Sequence, residues 1–195
     1  MLDLNVNTAL TILYFFQIEW DNRLPDYDPQ SNRLVTVDGT HFRVQEQKDN
    51  PRSWYSFKFR SAAVCYELAI GIFTGKIVWT SGPWRAGSYP DITIFRNGGL
   101  RDCLLEENEK AVADKGYRGE PDAVDLPHEG SKRHQFYKSH ARARHEQCNK
   151  RLKQFGCLVQ RFRHKVDYHR HCFNAVVILT ELAIENGEEL WDVLE

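Results

Sequence analysis

The sequence predicts an α/β domain: a mixed sheet, three antiparallel strands first and parallel strands after them, with helices packed on it. Three observations point there. The apolar runs Val64 to Phe73 and Lys76 to Trp84 are joined by Thr74-Gly75, a hairpin signal. A third strand, from Arg33 to Asp38, precedes them, and two short apolar segments after residue 108 alternate with helical patterns. Two long helical segments close the chain, and helices that follow a sheet in sequence pack on its faces.

Taken in order, the apolar stretch from Ala9 to Trp20 reads as a helix docked on the domain. Asp3 replaces the basic start of a signal peptide, Thr11 and Gln17 interrupt the run, and it is too short to span a bilayer, so neither secretion nor membrane insertion is expected. Asn22 to Asn32, with Pro25 and Pro29, reads as a linker, which gives an expected division into residues 1–32 and a main domain over 33–195. Trp54 to Phe59 alternates aromatic and polar residues like an edge strand. Asp91 to Leu105 has helical spacing, with Asp91 in the place of an N-cap. Glu109 to Asp114 and Ala123 to Leu126 read as short strands, His134 to Phe155 and His169 to Asn186 as helices, the second stopped by Asn186-Gly187.

Apolar residues at 42% and charged ones at 27% exclude global disorder and suit one domain with its own core. Five cysteines, widely spaced and never in a CxxC pair, argue against a disulfide framework and a cysteine-based structural zinc site, and suit a reducing compartment. The net charge of −1 conceals an asymmetry. From Lys132 to Lys165 every charged residue but Glu146 is Lys or Arg, whereas no Lys or Arg follows Arg170. A near-neutral chain with one basic segment is a candidate polyanion binder through that segment.

Chemistry is signalled by three runs: Val37-Asp38-Gly39-Thr40-His41, Ala113-Asp114-Lys115-Gly116-Tyr117, and Arg142-x3-Glu146-x6-Lys153. The first two place a carboxylate at the expected end of a strand. On a helix, Arg142, Glu146, Asn149 and Lys153 share one face. A few carboxylates meeting at an open edge satisfy the oxygen-loving, water-retaining Mg2+ ion (or Mn2+), and two such ions serve phosphoryl transfer. Asp91 is the rival to Asp114 as second acid, although its place before an apolar helical segment favours a capping role. His41, three residues past Asp38, is within reach of the same strand end, with a structural role favoured. Tyr117, Trp54, Trp79 and Trp84 read as packing residues, and Cys148 and Cys157 as small helix-packing ones. His164, His169 and His171, with the nearby Arg and Lys, make a candidate phosphate-contacting patch.

These runs, with Gly82-Pro83, the Gly87-Ser88-x-x-Asp91 run, Leu152 and the tail Ala183-Ile184-Glu185-Asn186-Gly187, resemble the DDE transposases of the PIF/Harbinger type over most of the chain. The resemblance implies a ribonuclease-H-like catalytic domain that cleaves and transfers DNA strands with divalent metal in the nucleus. Asp38, Asp114 and Glu146 match its metal-binding triad, and Arg142 and Lys153 its positions near bound DNA. Lys150 and Arg151 lie in the same basic helix and are expected to join them.

The chain departs from the family pattern in a shorter interval between Asp114 and Glu146, in Pro90 where the family has His, and in Ser139 where the bacterial relatives have Tyr. With no helix-turn-helix expected upstream, a separate DNA-binding partner protein is the expected source of site recognition, and a homo-oligomer is compatible with the same chemistry. The competing reading is a domesticated or truncated module that binds DNA or protein without cutting. The presence of all three acids favours the enzyme.

Overall fold

The structure, a computed structural model, describes residues 35–72, 74–188 and 190. The expected N-terminal helix, the linker and the end of the tail lie outside the described residues. The strands are β1 (Val35–Arg43), β2 (Tyr55–Ser56), β3 (Ser61–Gly71), β4 (Ile77–Arg85), β5 (Ala111–Val112) and β6 (Val124–Asp125). The helices are α1 (Pro51–Trp54), α2 (Asp91–Gly98), α3 (Leu100–Glu106), α4 (Lys132–Leu152), α5 (Gly156–Val159) and α6 (Val166–Glu185).

The sheet is mixed, as its sequence order predicts. β3 pairs antiparallel with β1 on one edge and with β4 and β2 on the other, and β5 and β6 continue parallel from β1. The resulting order, β4-β3-β1-β5-β6, is compatible with a ribonuclease-H-like fold. Residue alternation along β1 divides the core in two. Phe42 and Val44 face a cluster with Leu68, Cys148, Leu152 and Phe173 beneath α4 and α6. Val35 and Val37 face the other way, against Phe95, Leu100, Leu104 and Tyr117 beneath α2 and α3.

Several elements differ from their sequence expectation. β1 does not stop at Asp38. It runs on to Arg43 because Gly39 through Arg43 continue the antiparallel ladder, with Gly39 opposite Glu67 and His41 opposite Cys65. Asp38 is therefore mid-strand, in a stretch where β1 outruns its two-residue partner β5. The expected strand from Trp54 shrinks to two residues, since Pro51 starts a helical turn whose last residue is Trp54. The expected helix from Asp91 to Leu105 breaks at Gly99, whose φ of 100° is left-handed.

Helix α4 is pinned at its start and along its length. Ser131 caps it by accepting from the His134 N–H. Lys138, though charged, is buried, and its ammonium donates to Asp125 at 2.6 Å and to the carbonyls of Leu126 and Glu129 at 2.8 Å each. All three of its protons are thereby used. Arg144 is also buried, donating to the Ile72 carbonyl at 2.5 Å. Part of the basic segment thus holds the fold together, a share that charge counting cannot separate from a ligand-binding face. No helix among the described residues is long and apolar enough to cross a membrane.

Candidate active site

Asp38 is half-buried on the α4 face of β1. Two side chains of α4 line up with two of β1: His145 Nδ1 lies 2.9 Å from Thr36 Oγ1, and Asn149 Nδ2 donates to Asp38 Oδ2 at 3.2 Å. The helix spacing of four matches the strand spacing of two, so α4 runs alongside β1. Asp114 follows β5 in a register that sets Thr36 beside Val112, and hence Asp38 level with Asp114. Its carboxylate accepts from the Gly116 N–H at 2.6 Å and caps the short 3-10 turn Lys115–Tyr117.

Asp91 arrives from the other face. It does not cap α2: Pro90 holds that position, with no side-chain cap, and Asp91 is the first helical residue. A proline at the cap position has no side-chain oxygen to offer, and it leaves the Asp91 carboxylate pointing to the strand ends instead. Asp91 Oδ1 lies 2.3 Å from where a Cβ on Gly39 would stand, and Oδ2 lies 3.2 Å from the equivalent point on Gly116, where Asp114 Oδ1 is 2.9 Å away. Gly39 is therefore required for Asp91 Oδ1 to enter, and Gly116 leaves close room for Oδ2. The glycine in each run was the available signal.

The electrostatics follow from this crowding. Burial, then the Asp91 and Asp114 carboxylates, push the Asp38 pKa up to about 6. Burial and Asp114 raise Asp91 as well. Glu67, fully buried two residues from Cys65, is pushed up to about 8 by burial and then by Asp91, and neither of its oxygens has a hydrogen-bond partner. Lys58, exposed on the turn after β2, acts against the rise at both Asp38 and Asp91. Neither Lys58 nor Glu67 stood out in the sequence, because strand pairing brings Glu67, and the turn between β2 and β3 brings Lys58, near the aspartates.

The third expected acid is placed differently. Glu146 is solvent-exposed on α4, and it is Asn149, one turn later, that touches Asp38. His145 and Asn149 take the line facing β1, so Glu146 flanks it on the solvent side of the same stripe. Arg142 is half-buried on that stripe. Lys153 holds its ammonium 5.7 Å over the Phe42 ring, with its pKa lowered by burial and then by Lys58, and supported by Asp38. Lys150 is exposed. Arg151 turns away from Asp38 and donates to the Glu188 carbonyl, so it is the one expected DNA contact already engaged on another side of α4.

Tyr117 and Trp79 pack as their sequence reading expects: Tyr117 is buried edge-on to Phe95 at 5.5 Å, and Trp79 is in the same core. His169 leaves the expected phosphate patch altogether: it is buried with Nδ1 2.9 Å from the Tyr66 hydroxyl. Its pKa falls to about 3 through burial. His41 is half-buried, held by Ser56 Oγ at 2.9 Å from Nδ1, and lowered to about 4 by burial and then by Lys58 and Lys153, so it is a neutral imidazole. Among the described residues, one trio of metal-type donors meets within 4.8 Å: His41, Cys65 and Asp91.

The family model of the DDE superfamily endonucleases matches residues 37–181. The chain belongs to that family. The match begins beside Asp38 and spans every carboxylate described above, and the family implies a transposase-like nuclease domain with DNA as substrate. No curated protein and no solved structure matches the chain.

Proposed function

We propose that this DDE endonuclease domain is the catalytic part of a PIF/Harbinger-type transposase, cutting and joining DNA strands with divalent magnesium or manganese in the nucleus. The observation that carries it is the convergence of Asp38, Asp91 and Asp114 from three separate elements, where burial first and then the neighbouring carboxylates lift Asp38 to a pKa of about 6. Carboxylates held near one another in a partly buried place are a common mark of a site that holds cations. The donor set fits a hard, oxygen-seeking ion that keeps several waters.

Asp38, Asp114 and Glu146 would hold the metal, with Glu146 reaching in from its exposed place on α4 and Asp91 adding a fourth carboxylate. The ions would supply charge neutralisation at the scissile phosphate and at the attacking and leaving oxygens. The chain's own residues position the rest. Asn149 holds Asp38 by one oxygen and leaves the other for ligation. Gly116 fixes the Asp114 carboxylate in the same manner. Arg142, Lys150 and Lys153 offer the phosphate backbone a line of charge along one side of the site, and Lys58 offers it from the other. Phe57, 87% exposed beside Lys58, presents an aromatic face to the approaching strand. A partner protein would supply end recognition, and pairing of two copies would serve two-ended cutting.

Glu146→Gln tests the assignment. The variant should lose metal-dependent cleavage while DNA binding is kept or slightly improved. Cleavage at the wild-type rate would remove Glu146 from the metal site.

A further inference from the structure

The acidic cluster has a second side that the strand-cutting reading does not use. On the α2 face of the sheet, His41 and Cys65 are direct cross-strand partners. The neighbouring pair is Gly39 and Glu67, and the missing side chain at Gly39 is the opening through which Asp91 Oδ1 enters. From the point where a Gly39 Cβ would stand, Cys65 Sγ is 3.4 Å away. One ring nitrogen of His41, Cys65 Sγ and an Asp91 oxygen all lie within 4.8 Å of one another. In a tetrahedral site with Zn–S and Zn–N bonds of usual length, donors stand roughly 3.5 Å apart, so small side-chain rotations would close the set.

We infer that His41, Cys65 and Asp91 form a binding site for a zinc-class ion, separate in chemistry from the magnesium-type site that borders it. A thiolate with an imidazole and one carboxylate is a soft-to-borderline donor set, which zinc or cobalt accepts and magnesium does not. The supporting contacts are those such sites use. Ser56 Oγ engages His41 Nδ1 and so fixes the ring, leaving Nε2 for an ion. Cys65 is a free thiol that makes a long 3.7 Å approach to the Tyr66 carbonyl.

Glu67 lies on the same face of β3 as Cys65 and is fully buried, but its Oε2 is turned to the far end of α2, 3.5 Å from where a Cβ on Gly98 would stand, so it stands outside this donor set. Binding exchanges the Cys65 thiol proton for the metal, with that proton released to solvent. Because Asp91 turns Oδ1 to this trio and Oδ2 to Gly116 and Asp114, a bound ion would hold Asp91 in place and stitch the start of α2 to the sheet.

The test is cobalt(II) titration of the full-length chain with excess magnesium present, read by absorption. The expected result is one equivalent bound, with a thiolate-to-cobalt charge-transfer band in the near ultraviolet and intense tetrahedral visible bands. Cys65→Ser should abolish the charge-transfer band, while Cys103→Ser and Asp38→Asn should keep it. Keeping it in Asp38→Asn separates this site from the strand-cutting one, so either reading can fail alone. Should Cys65→Ser not fold by circular dichroism, His41→Ala should weaken cobalt binding at least tenfold. Absence of the band in wild type, its survival in Cys65→Ser, undiminished binding by His41→Ala, or displacement of cobalt by magnesium overturns the inference.

Discussion

Glu67→Gln should change the slope of stability against pH more than its height. In the folded chain Glu67 keeps its proton until about pH 8, whereas an unfolded glutamate releases it near 4.5. Between those values the folded state binds more protons, so stability falls as pH rises, and it stays low above pH 8. A window of roughly 3.5 units at about 1.4 kcal/mol each gives a ceiling on the order of 5 kcal/mol. Glutamine has the same shape and no proton to lose. Its amide inherits the same unpartnered surroundings, which lowers stability by a pH-independent amount of about 1–3 kcal/mol. Asp38 has the same sign as Glu67, its pKa raised from 3.8 to about 6. His145 and His169, both lowered to about 3, act oppositely: they destabilise as pH falls below 6.5. All three persist in the variant, so the difference curve isolates Glu67. Urea denaturation at several pH values between 4.5 and 9, with m held constant, is the assay. The wild-type minus variant difference should decline steadily to about pH 8 and then level. Parallel curves would show that Glu67 is charged or solvated in the folded chain, and the account of its surroundings would fail.

Gly39→Ala places a Cβ 2.3 Å from Asp91 Oδ1 and should displace that carboxylate; cleavage should fall at least tenfold while circular dichroism stays native, and unchanged cleavage would remove Asp91 from the active cluster. Lys153→Ala should weaken binding to every DNA sequence alike and make the salt slope shallower by about one, as filter binding across salt concentrations would show; an effect confined to one sequence would make Lys153 a base reader. Lys138→Met strips a buried ion pair of its cation and should cost about 3 kcal/mol in chemical denaturation, since Asp125 is left buried; a cost below 1 kcal/mol would mean that water replaces the ammonium.

The fold was legible where pattern and punctuation agree. The hairpin around Thr74-Gly75 and the two closing helices are found at nearly their expected bounds. Strand β1 was read only to Asp38, whereas Gly39 carries the ladder on and its lack of a side chain serves the close approach of Asp91. The α2–α3 break was missed because one glycine inside a helical pattern is locally tolerable. At the site, Asp38 and Asp114 were visible as isolated acids in distinctive runs. Asp91 was visible and misjudged as a cap, since a cap and a first-turn residue differ by one position that only backbone geometry decides. Cys65, Glu67 and Lys58 have no local signature, because strand pairing, and for Lys58 the turn between β2 and β3, brings them in. Asn149 was seen on the right helix face, but which member of that face meets Asp38 depends on how α4 is rotated against β1.

The most direct test of the central claim is nicking of supercoiled plasmid with magnesium or manganese, wild type against Asp38→Asn. The account predicts metal-dependent nicking by the wild type that the variant lacks, with magnesium or manganese binding weakened in parallel. Equal nicking by both proteins, or a wild type that binds neither ion, would contradict it.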